Sequence, residues 1–305
     1  MKLGLLTAAF PTLSLDEVAD WAGGNGFQAL EVAVWPAASG PSRRYAGTSH
    51  IDVESLDQGE ANRVVDSLQA RGLEISALAY YPNPLDPDEA AAAAAREHLR
   101  RVIRAAELLG VEVVGTFVGR DKGKPVDANL EQFGKVWPDL VHFAADHGRK
   151  IAIENCPMIF SGDEWPGGNN LAYSPSIWRQ MFEILPDANF GLNLDPSHLV
   201  WQFIDAPRVV REFGSRIFHV HAKDLEIDAD GLYEHGALSL GVGWQIPRIC
   251  GLGQVDWNAF LGALYRVGYD GVLSVEHEDR AFEGSVGAVR RGFEIARDNL
   301  RPLVH

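Results

Sequence analysis

Cysteine is nearly absent: Cys156 and Cys250 are the only two in 305 residues. A disulfide framework is thereby excluded as the basis of stability, and a reducing compartment is the default expectation. Basic residues are also short, with 27 Lys and Arg against 42 Asp and Glu and a formal net charge of −15. Phosphate backbones demand a basic surface, so no nucleic-acid partner is expected, although a small phosphorylated sugar is not excluded. No run approaches the ~20 apolar residues of a membrane span, so no membrane partner is expected. Residues 1–7 turn polar too early for a signal peptide. The expected location is cytoplasmic. Also missing are a strand followed by Gly-x-Gly-x-x-Gly and any Walker loop, which disfavours the nucleotide-binding forms of an open α/β sheet.

What is present is material for a large core: 46% hydrophobic residues and eight tryptophans. Eight short apolar runs read as strands, at 3–9, 29–34, 75–80, 111–118, 150–154, 190–194, 217–221 and 272–276. Helical patterns alternate with them. Ser14 and Glu17 form a capping box, Asp57 and Glu60 another, and Asp86-Pro87-Asp88-Glu89 combines a cap, an N1 proline and a capping box. Pro138 should kink the helix over 128–147 or mark a fresh start. Alternation of this kind gives a parallel sheet, and eight units give a closed (β/α)8 TIM barrel of the α/β class. No break in composition suggests a linker, so one domain spanning 1–305 is expected. An open doubly wound sheet is the runner-up.

Four consecutive strands end in a titratable residue: Glu154, Asp195, His221 and Glu276. In a parallel barrel the C-terminal strand ends share one face, so these four converge. Three carboxylates and an imidazole suit Mn²⁺ first, with Mg²⁺, Co²⁺ or Fe²⁺ as alternatives. Without a cation the carboxylates would repel one another and their pKa values would rise. A lone strand-end acid is more often a helix cap or an ion-pair partner, but four in succession weaken that reading. His219 and His221 share one face of their strand, and the one nearer its end should be the ligand. His198, three residues past Asp195, suits a substrate contact, with a ligand or a plain loop residue as alternatives. Lys223 is placed to reach a substrate oxygen, or else pairs only with Asp224. Glu31 reads as an anchor for a neighbouring loop, and Arg43 with Arg44 as a solvated pair. The long connections 36–56, 158–173 and 225–254 follow strands whose loops build barrel pockets, which makes Trp165, Asn169, Asn170 and Arg248 candidate substrate contacts.

The runs Ile153-Glu154-Asn155, Leu194-Asp195-Pro196-Ser197-His198, His219-Val220-His221-Ala222-Lys223-Asp224 and Val275-Glu276-His277 resemble the xylose isomerase-like TIM-barrel superfamily. Within it they are most similar to the sugar phosphate isomerase/epimerase branch. The resemblance implies that Glu154, Asp195, His221 and Glu276 ligate the metal. It also implies that Glu154 and Glu276 exchange protons with the substrate, His198 assisting. Endonuclease IV, in the same superfamily, needs further histidine ligands and a basic surface. Here strands three and four end in Tyr80 and Val118, so DNA repair is rejected. The segment Gly251-Leu252-Gly253-Gln254-Val255-Asp256-Trp257 is similar to a signature of branch members that process 3-oxo sugars, including 3-oxo-glycoside lyases and C-glycoside deglycosidase subunits.

The expected function is therefore a divalent-metal-dependent sugar isomerase or epimerase, abstracting a proton next to a carbonyl and passing through a metal-stabilised enediolate. The alternative is a β-elimination lyase on 3-oxo-glycosides, with His198 or His277 as base. A non-catalytic sugar-binding barrel comes third. The partner is a small sugar or sugar derivative, with a homo-oligomer or a small partner subunit possible.

Overall fold

All five residues of the run Phe190–Leu194 are buried, as in a strand covered on both faces. Seven similar runs flank it. The computed structural model describes residues 1–36, 47–159 and 168–304. Arg43, Arg44 and Trp165 fall outside them. The strands are β1 (Lys2–Leu6), β2 (Ala29–Ala33), β3 (Glu74–Ala79), β4 (Val113–Thr116), β5 (Lys150–Glu154), β6 (Phe190–Leu194), β7 (Ile217–Ala222), β8 (Asp224–Ile227), β9 (Gln245–Arg248) and β10 (Val272–Val275). Eight close a parallel barrel in the order β1-β10-β7-β6-β5-β4-β3-β2. The expected (β/α)8 architecture is the one found, and β5, β6, β7 and β10 are consecutive around it.

Helices pack outside the barrel, and their starts follow the capping chemistry. Ser14 Oγ accepts the Glu17 N–H while Glu17 accepts the Ser14 N–H at 2.8 Å. The third cap differs from expectation: Asp88, not Asp86, caps the helix Glu89–Leu108, so Pro87 precedes the cap. Pro138 neither ends nor restarts its helix, which runs unbroken over Val126–Asp146. Phe133, Trp137, Leu140 and Val141 on that helix are fully buried. Burying each is worth about 1.5–3 kcal/mol. Together they outweigh the roughly 3 kcal/mol that an internal proline costs.

The excursion after β7 is more ordered than its glycines suggest. Strands β8 and β9 form an antiparallel pair outside the barrel, with Asp224 opposite Arg248. Asp224 anchors the return. Its carboxylate accepts the backbone N–H groups of Gly251 and Val255 and the Trp257 indole N–H, each at 2.9 Å. The turn passes so close that a Cβ at Gly253 would lie 2.3 Å from Asp224 Oδ1, so only glycine fits. Asp224→Ala would leave the buried Val255 and Trp257 donors and the part-buried Gly251 N–H without an acceptor. The expected loss is about 3 kcal/mol or more, read as a lower urea midpoint with an unchanged m-value. An unchanged midpoint would show that other contacts hold the loop.

Candidate metal and substrate site

The parallel strands bring four predicted residues to one face. Glu154, Asp195, His221 and Glu276 each offer one ligand atom, all within 4.8 Å of one another. Glu154 closes β5, Asp195 follows β6, His221 lies in β7, and Glu276 follows β10. The backbone around them is pinned by amides. Asn155 Oδ1 accepts the Asp195 N–H at 2.7 Å, and Asn155 Nδ2 donates to the Asp195 carbonyl at 2.9 Å.

His221 shows how the donors are aimed. Its Nε2 lies 2.9 Å from Glu31 Oε2, so the carboxylate holds the proton on that nitrogen. Nδ1 is left facing Glu276 Oε2 at 3.3 Å and Glu154 Oε1 at 3.7 Å. Although buried, His221 Nδ1 has no hydrogen-bond partner, and Asp195 Oδ2 makes no hydrogen bond, its compensation being the ion pair with Lys223 at 3.1 Å. Orphaned buried atoms are uncommon. A cation between them would satisfy both, and the oxygen-rich set with one imidazole fits a hard or borderline divalent ion. These residues therefore fit a metal.

Glu31 is more than the loop anchor it resembles in sequence. It lies in β2, separated from β7 by β1 and β10, and crosses the barrel interior to reach His221. Tyr81 donates its hydroxyl to Glu31 Oε1 at 2.6 Å, and Asn193 donates to the Tyr81 oxygen at 2.9 Å. His219 is packed beneath, between Asn193 and Ser76. Burial brings the His219 pKa down to about 4, keeping the ring neutral. Tyr81 and Asn193 carried a weak sequence signal, as polar side chains at or near the ends of apolar strands.

Of the two readings of Lys223, the structure removes the lesser one. Lys223 does not pair with Asp224. Its Nζ sits 3.1 Å from Asp195 Oδ2, 2.7 Å from Glu276 Oε2 and 3.0 Å from Glu278 Oε2. Burial works against its charge, but Asp195, Glu276, Glu278 and Glu154 outweigh it and hold its pKa well above the usual value. Burial likewise opposes ionisation of Glu154, yet His221, His198 and Lys223 bring its pKa down to about 2. Glu276 is lowered against burial by Lys223 and His221. Glu278 had no sequence signal beyond lying two residues past Glu276.

A pocket of about 610 Å³ opens above the cluster. Glu154, His198, Lys223, Arg248, Glu276 and His277 line it. Arg248 pairs with Glu226, its Nε 2.6 Å from Glu226 Oε2. Asn169 and Asn170 do not line the pocket. Asn170 instead organises the backbone, donating to the carbonyls of Glu154 and Cys156 and accepting from Val118 and Gly119.

The chain belongs to the xylose isomerase-like TIM barrel family, whose sequence model matches residues 19–301. It is 27% identical, over 323 aligned positions, to the uncharacterized protein YfiH of Bacillus subtilis (strain 168), covering 98% of this chain and 99% of that one. Its structure superposes on AsbF of Bacillus anthracis, described as a probable 3-DHS dehydratase, with a TM-score of 0.72 at 16% identity over 99% of both chains. It also superposes on D-psicose 3-epimerase of Clostridium cellulolyticum H10, in complex with D-tagatose, with a TM-score of 0.70 at 16% identity over 100% of both chains. At these identities the likeness is one of fold. Among the described residues, no helix is long and apolar enough to cross a membrane.

Titration with Mn²⁺ is expected to show about one ion per chain. Asp195→Asn or His221→Ala should abolish binding, since each removes a donor. Glu31→Ala should weaken it by roughly 10–100-fold, the usual effect of losing the partner that orients a ligating histidine. Full affinity in the His221 variant would show that the donor set is wrongly assigned.

Proposed function

We propose that the protein is a divalent-metal-dependent sugar isomerase or epimerase that moves a proton at a carbon next to a carbonyl, acting as the single domain 1–305. The observation that carries this reading is a difference among the four donors. Glu154 and Glu276 line the pocket, whereas Asp195 and His221 are fully buried and do not. Two of the donors thus face both the cluster and the space for substrate.

A divalent cation held by the four residues, Mn²⁺ before Mg²⁺, Co²⁺ or Fe²⁺, would supply Lewis-acid polarisation of the substrate carbonyl. Glu154 and Glu276 approach from β5 and from the end of β10, on different sides. The lowered pKa values keep both ionised at neutral pH, so either can accept a carbon-bound proton and then return it as the acid. Return by the same glutamate to the neighbouring carbon gives an isomer; delivery to the opposite face by the other glutamate, once it has taken up a proton from solvent or through the substrate hydroxyls, gives an epimer. Lys223 fixes Glu276 through the 2.7 Å contact, and His198 stands 3.5 Å from Glu154. Arg248 offers a cation to the distal end of the sugar.

A lyase reading has one observation in its favour. The pocket wall includes Trp35, Phe117, Met158, Ile246 and Pro247, an apolar surface suited to a departing substituent. β-Elimination from a 3-oxo-glycoside needs only one base, which His198 or His277 would supply.

Mixing the protein with Mn²⁺ and a panel of ketoses and 3-oxo sugars in D₂O tests both readings. Deuterium should enter at carbon, with an epimer or isomer accumulating. Release of an aglycone with an unsaturated sugar would favour the lyase, and no exchange with any substrate would leave a binding protein. Glu154→Gln and Glu276→Gln should each keep much of the metal and lose at least ~10²-fold in rate, the low end for acid–base catalysis. Near-normal turnover in both would move suspicion to the histidines.

A further inference from the structure

The pocket wall beside β5 carries a second set of donors that includes sulfur. Glu154, Cys156 and His198 each bring one ligand atom, and the three atoms lie within 4.8 Å of one another. His198 is only 9% exposed, and its Nε2 has no hydrogen-bond partner. That nitrogen stands 3.5 Å from Glu154 Oε1. A tetrahedral ion bonded to N and O at about 2.0–2.2 Å separates its ligands by roughly 3.3–3.5 Å. The imidazole and the carboxylate therefore already have ligand spacing.

The sulfur is prepared as well. Cys156 Sγ accepts the backbone N–H of Met158 at 3.4 Å, which holds the sulfur on the pocket wall. Asn170 donates to the Glu154 carbonyl at 2.9 Å and to the Cys156 carbonyl at 2.7 Å, which fixes the two donors relative to each other. His198 sits on the short helix Ser197–Val200, and Gln202 Nε2 donates to its carbonyl at 2.6 Å. The other cysteine takes no part: Cys250 is fully buried and donates its S–H to the Ala222 carbonyl at 2.9 Å.

We propose that Glu154, Cys156 and His198 form a second metal site, selective for thiophilic divalent ions such as zinc and sharing Glu154 with the oxygen-rich cluster. Sulfur, nitrogen and oxygen donors together suit zinc, and three protein ligands leave a fourth position open to the pocket. An ion there engages Glu154 and His198, so loading the site competes with the proton chemistry assigned to that wall. The proposal needs only metal binding and stands whether or not the sugar reading holds.

The test uses the full chain, pre-equilibrated with Mn²⁺ and titrated with Cd²⁺ while the thiolate-to-cadmium charge-transfer absorption is followed. The band should grow to saturation at one equivalent. Cys156→Ser should abolish it while Mn²⁺ binding persists, and Cys250→Ala should leave it unchanged. His198→Ala should weaken cadmium binding by at least about tenfold. No band in the natural protein, a band that survives Cys156→Ser, or one indifferent to His198→Ala would each overturn the site. Failure of Mn²⁺ to bind, with the cadmium band intact, would count against the oxygen cage and not against this one.

Discussion

Like charge in a confined space governs this structure. Glu154, Asp195 and Glu276 gather around His221 within 4.8 Å, all but hidden from water. Each pair of carboxylates at such spacing repels by about 4 kcal/mol at an effective dielectric of 20. The protein answers with Lys223, which touches two of the three, and with the His221 imidazole between them. That compensation is incomplete in geometry, because His221 Nδ1 still lacks a hydrogen-bond partner. One more positive charge at this point would relieve the remaining repulsion.

Much of the rest of the barrel serves to hold this crowd in place. Glu31 spans the barrel interior to fix the His221 ring, and Tyr81 and Asn193 complete that network. Asn155 and Asn170 use their amides to lock the chain on either side of Glu154. Asp224, next to Lys223, turns away from the cluster and ties down the segment after β9, so that Arg248 and the apolar residues of β9 form the pocket wall. Positioning here is done by backbone hydrogen bonds to amide and carboxylate side chains, which tie down segments that are nominally loops.

The barrel was legible because each strand is a short apolar run and several of the helices carry a capping side chain. The four strand-end donors were legible for the same reason: parallel strands translate chain order into spatial adjacency. Glu31 was misjudged because its partner lies across the barrel, and no local pattern announces a contact of that range. The Lys223–Asp224 pair looked plausible only because neighbours in sequence are easy to imagine together, whereas alternation along the chain points them apart. Asp88 displaced Asp86 as the cap for a local reason, since its carboxylate reaches Ala90 and Ala91. The β8–β9 pair, with Pro247 inside it, was hidden by its brevity. Cys156 was passed over because a lone cysteine carries no signal until His198 is seen beside it.

The central claim is that the three carboxylates and His221 Nδ1 enclose a divalent cation at the C-terminal ends of the barrel strands. Anomalous diffraction from crystals grown with Mn²⁺ tests it most directly. The account predicts a manganese peak within bonding distance of Glu154, Asp195, His221 Nδ1 and Glu276. It also predicts that Lys223 gives up its contact with at least one of those carboxylate oxygens. Saturating Mn²⁺ with no peak there, and Lys223 still bridging Asp195 and Glu276, would contradict it.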